Sequence, residues 1–126
     1  MNSSRLLSPL GKTFVRNAEA DLTLITHVEG QPLGSGVELR TLAVSPHMVF
    51  VECRFTKGQA SKPHQHPDHD SIVYVVSGKV KVTIEDKEFI AEPGDAWYNE
   101  PGVFHHIEAL EDSVSVEVKS PPVKAW

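Results

Sequence analysis

Only one cysteine, Cys53, occurs in the 126-residue sequence, so no disulfide can form within the chain, and a reducing compartment is the natural setting. No apolar run approaches the roughly 20 residues that a membrane helix needs. The opening stretch MNSSRLLSPLGK is a poor signal peptide, with one arginine and a short apolar patch broken by Pro9. There is no basic run and the formal net charge is -5, which argues against a nucleic-acid surface. No segment of ten or more residues carries a convincing helical period. The expectation is therefore a soluble cytoplasmic protein that touches neither nucleic acid nor membrane.

What is abundant is histidine and short β-type segments. The chain has seven histidines and 40% hydrophobic residues, enough to bury one core in one domain. Residues 1–20 show little periodicity and read as an N-terminal arm, with a single domain over 21–126. Strands are expected at Leu22–Val28, Val37–Val44 and Met48–Phe55, with a turn-rich EGQPLGSG between the first two. Ile72-Val73-Tyr74-Val75-Val76 is apolar at every position and reads as a strand covered on both sides. Ser77-Gly78 turns it into Lys79–Ile84, which alternates polar and apolar. Shorter strands follow at Glu88–Ala91, Ala96–Tyr98, His105–Ala109 and Ser113–Lys119, separated by Gly/Pro turns. Val114, Val116 and Val118 share one face of the last, and Ser120-Pro121-Pro122 ends its pairing. Many short strands at short spacing predict an all-β sandwich or barrel.

The chemistry concentrates in Gly58–Gly78. His64 and His66 are two apart in extended chain, so both imidazoles point the same way and can close on one metal ion. A second tight turn, Pro101-Gly102-Val103-Phe104, delivers His105. These residues resemble the two-motif signature of the cupin superfamily, whose core here spans 58–109. Gly58, His64, His66 and Gly78 fall on the first motif, and Gly94, Gly102 and His105 on the second. Two positions depart from it: Ser71 occupies the usual Glu/Gln ligand slot, and Glu100 stands where a proline is usual, with Pro101 displaced by one.

The resemblance implies a cupin double-stranded β-helix (a jelly-roll barrel) with His64, His66 and His105 holding one divalent transition metal, Fe, Zn, Ni or Cu, per chain. His69 or Asp70 stands near enough to complete the set, the latter only if a bulge turns it inward. Asp70 and Glu117 are the candidate catalytic acid–base residues. Three histidines without a carboxylate resemble cupin dioxygenases. The stretch Ala109–Ser113, with Ser120-Pro121-Pro122, looks like the small cupins of pectin degradation, which act on ring-opened unsaturated uronates as isomerase-like enzymes. In that tail Glu117 keeps an acidic position, while Lys119 replaces an aromatic residue and Val123 an arginine. The function expected is metal-dependent chemistry, of dioxygenase or isomerase/lyase type, on a small carbonyl, enol or carboxylate substrate. The alternative is a non-catalytic sugar- or metabolite-binding module. The family also implies a homodimer, with residues 1–28 able to supply an exchanged strand.

Overall fold

The computed structural model describes residues 5–126; the first four residues of the expected arm lie outside it. After a 3-10 turn at Asn17–Glu19, nine strands follow: β1 Asp21–Val28, β2 Gln31–Val44, β3 Val49–Phe55, β4 Asp70–Ser77, β5 Val80–Ile84, β6 Lys87–Ala91, β7 Ala96–Asn99, β8 His105–Ala109 and β9 Ser113–Ser120. They form a six-stranded sheet in the order β1-β2-β3-β9-β4-β7 and a three-stranded sheet in the order β6-β5-β8. Every pairing is antiparallel, and the two sheets enclose the core as a jelly-roll barrel.

Strand alternation decides what each sheet encloses. Val49, Val51 and Cys53 of β3 join Ile25, Val37, Leu39 and Val44 in one buried cluster. Val75, Val80, Val82 and Ala91 form a second, against Trp97 and Ile107. The hairpin from β4 to β5 depends on Gly78, at φ +89°, because a Cβ there would stand 2.4 Å from the Asp112 carbonyl oxygen.

Three features differ from the sequence reading. The stretch EGQPLGSG is strand rather than loop, because the turn uses only Glu29 and Gly30 and β2 then runs for 14 residues. Gly36 is there for close approach: a Cβ would meet the Leu24 side chain at 2.4 Å. β3 accompanies β2 only from Glu38 onward, so Pro32 sits where β2 is an edge and a missing N–H is tolerated. Second, β4 is covered on one side only: Ser71, Val73 and Val75 are buried while Ile72, Tyr74 and Val76 are about half exposed. Third, β1 pairs with β2 of its own chain, and the described part of the arm lies along the chain's own C-terminal segment. Leu7 N–H donates to Pro122 O at 2.8 Å and Lys124 N–H to Arg5 O at 2.8 Å.

Candidate metal centre

The histidine segment between β3 and β4 is stitched to β8 by its backbone. His64 N–H donates to His105 O at 3.0 Å, His105 N–H to His64 O at 2.8 Å, and Gly102 N–H to His66 O at 3.0 Å. This bridge sets His64 beside His105, and the two-residue spacing brings His66 to the same side. One ligand atom from each of the three lies within 4.8 Å of the other two. All three side chains are buried.

Each imidazole has its Nδ1 occupied by an oxygen acceptor. His64 Nδ1–H donates to Lys62 O at 2.7 Å, His66 Nδ1–H to Glu29 Oε2 at 2.7 Å, and His105 Nδ1–H to Val103 O at 3.2 Å. A carbonyl or carboxylate oxygen accepts only, so the proton sits on Nδ1 and the Nε2 lone pair is left free. Burial holds the rings neutral: it pushes His64 and His66 down and His105 down to about 4. Three neutral imidazoles with free Nε2 atoms are the donor set of a late divalent transition metal with open positions. The residues present therefore fit the metal that the sequence reading expects.

The cavity they face offers about 90 Å³ of free space for solvent-sized atoms, and its walls are mostly apolar. Asn99, in β7, lines it with Oδ1 buried and without a partner among the described residues, while Nδ2 donates to Ser71 Oγ at 3.1 Å. Glu117 and Lys119 of β9 also line it, and among the described residues they are the only charged side chains that do.

The other sequence candidates fall elsewhere. The structure does not bring Asp70 to the cluster. As the first residue of β4 it shares parity with Ile72 and Tyr74, so it is exposed on the outer face, where Tyr98 OH donates to it. β4 pairs regularly from Asp70 to Val75, so no bulge turns Asp70 inward. His69 is buried but does not line the cavity; its ring centroid lies 4.4 Å from that of His66. Its Nδ1–H donates to Asp68 Oδ1 at 2.9 Å, and its Nε2 has no partner among the described residues. Ser71 is buried and bonded to Asn99.

Two residues absent from the sequence reading complete the surroundings. Glu29 reaches His66 from the β1–β2 turn, 37 positions away. Arg5 donates to Glu29 at 2.8 Å and stands 3.5 Å from Asp68, so one guanidinium steadies the carboxylates that orient His66 and His69. No local spacing signals this, because the partners come from the arm and a distant turn.

Comparison with known proteins agrees with this geometry. The cupin domain model matches residues 51–118. The chain belongs to the cupin family. It is 34% identical over 92 residues to the pectin degradation protein KdgF of Dickeya dadantii, covering 72% of this cupin and 84% of that protein. A solved structure of KdgF from a Halomonas species superposes with a TM-score of 0.74 at 31% identity, covering 86% of this chain and 94% of that one. Oxalate decarboxylase OxdC of Bacillus subtilis is 33% identical over 81 residues, 60% of this chain but 21% of the enzyme.

Proposed function

We propose that this cupin is a metal-dependent enzyme acting on a small carbonyl, enol or carboxylate compound, with His64, His66 and His105 holding one divalent Fe, Zn, Ni or Cu ion. The observation that carries the reading is the convergence of three buried, neutral imidazoles whose Nδ1 atoms are all spoken for. A metal bound there supplies Lewis acidity and a template for an oxygen-bearing substrate. The protein's own residues do the rest. Glu29 fixes the tautomer and direction of His66. The apolar walls exclude water. Glu117, inside the cavity, is the carboxylate positioned to take or return a proton at substrate carbon.

Redox-neutral isomerisation or lyase chemistry is the preferred class, supported by the likeness to KdgF and by the placement of Glu117. The lack of a carboxylate in the three-histidine set favours a second reading, dioxygenation at iron. The half-exposed apolar residues Ile72, Tyr74 and Val76 on β4 support a homodimer through the outer face of the six-stranded sheet. We place the protein in the cytoplasm, in keeping with a lone, buried, unpaired Cys53. Among the described residues no helix is long and apolar enough to cross a membrane.

Elemental analysis of the protein, expressed without a metal-binding tag, tests the reading. About one metal per chain is expected, with most of it lost in His66→Ala. Stoichiometric metal in that variant, or none in the wild type after reconstitution, contradicts it. Iron directs the work to oxygen uptake, and zinc or nickel to isomerase and lyase substrates.

A further inference from the structure

Lys119 is the least expected residue of the cavity. Lysine is almost never fully buried unless it is paired, yet Lys119 is 4% exposed. Its pairing is weak: the nearest carboxylate oxygen, Glu117 Oε2, stands at 4.0 Å, beyond hydrogen-bond reach. No hydrogen bond from its ammonium occurs among the described residues, and the Trp126 ring lies 5.6 Å away. The ammonium is thus held in a largely apolar cavity with its donors unused.

Its position in the sheet gives this meaning. In the β9–β4 register Lys119 lies directly opposite Ser71. Ser71 occupies the slot where the family motif carries a Glu or Gln ligand, so this chain has taken a ligand oxygen out and set a cation across from the gap. With a divalent ion on three neutral histidines, and Lys119 facing only Glu117 among the described charged residues of the lining, the cavity lining carries a surplus of about two positive charges, while Glu29 and Asp68 stand behind the histidine rings beside Arg5.

Resting on the metal reading above, we infer that Lys119 is the specificity-determining anchor for a carboxylate on the substrate, so that the ligand supplies the anion that position 71 lacks. A small 2-oxo or 2-hydroxy carboxylate has the right chemistry: one oxygen for the metal and a carboxylate for the ammonium.

The test compares pyruvate with pyruvamide, its neutral near-isostere, by titration calorimetry on Zn(II)-loaded protein, after zinc stoichiometry has been measured in each variant. Lys119→Met should keep its zinc, lose about 10- to 100-fold in pyruvate affinity, and leave pyruvamide within about threefold. Lys119→Arg should recover part of the pyruvate affinity. Unchanged pyruvate affinity in Lys119→Met, equal loss of both probes, or equal affinity of the wild type for the two overturns the inference while leaving the metal reading intact. Failure of the wild type to take up zinc removes the metal reading itself and this inference with it.

Discussion

The two faces of β4 and β9 reverse the usual order of a half-buried sheet. The inward face carries Ser71, Ser113, Ser115, Glu117 and Lys119 beside its valines, and all but Glu117 are buried. The outward face carries Ile72, Tyr74, Val76, Val114, Val116 and Val118, with the β4 residues about half exposed. A soluble sheet ordinarily alternates apolar-in and polar-out. The inversion fits an inside that is a site as well as a core, and an outside that serves the homodimer proposed above. Burying polar side chains costs free energy unless they are bonded, and here Ser71 and Ser113 are bonded while Asn99 Oδ1 has no partner among the described residues and Lys119 lines the cavity 4.0 Å from Glu117.

The largest effect should come from placing charge on the inner face and, at neighbouring positions, on the outer face. Val75 is 0% exposed, so Val75→Asp should cost more than about 3 kcal/mol and prevent folding or lower Tm sharply. The double change Tyr74→Lys with Val116→Lys alters two residues that sit opposite each other on the outer face. It should leave stability within about 1 kcal/mol and, on the proposed homodimer, give monomer where the wild type gives dimer in light scattering. A folded Val75→Asp variant or an intact double-lysine dimer breaks the comparison.

A smaller effect separates two carboxylates, Glu29 beside His66 and Asp70 on the outer face. Glu29→Ala removes the acceptor that orients His66 and should weaken metal binding by about 10- to 100-fold in a competition assay. Asp70→Asn, on the outer face, should change it by less than about twofold. Equal effects would erase the distinction between inside and outside.

The smallest effect concerns Cys53, on the inward face of β3. Burial pushes its thiol up to about 12, so the thiolate is scarce at neutral pH. In the native protein a thiol reagent at pH 8 should react at least about tenfold more slowly than in the unfolded chain. Prompt reaction in the native state would show that the cavity wall opens.

Local signals carried most of the barrel and the heart of the site. His64, His66 and His105 were legible because a two-residue spacing and a turn fix where their side chains go. Asp70 was near in sequence but wrong in parity, since one step along a strand changes the face. Glu29 and Arg5 left no local trace, because their contacts span the β1–β2 turn and the arm. The all-apolar run of β4 read as doubly covered, yet one chain covers only one side of it. The glycines and proline of EGQPLGSG suggested a loop, whereas Gly36 serves a close approach to Leu24 within a strand.

X-ray absorption at the metal edge of the reconstituted protein tests the central claim most directly. The account predicts three imidazole nitrogens at about 2.0–2.1 Å for zinc, with the remaining positions held by oxygen from solvent. A coordination sphere with fewer than two imidazoles, or one containing the Cys53 sulfur, would contradict it.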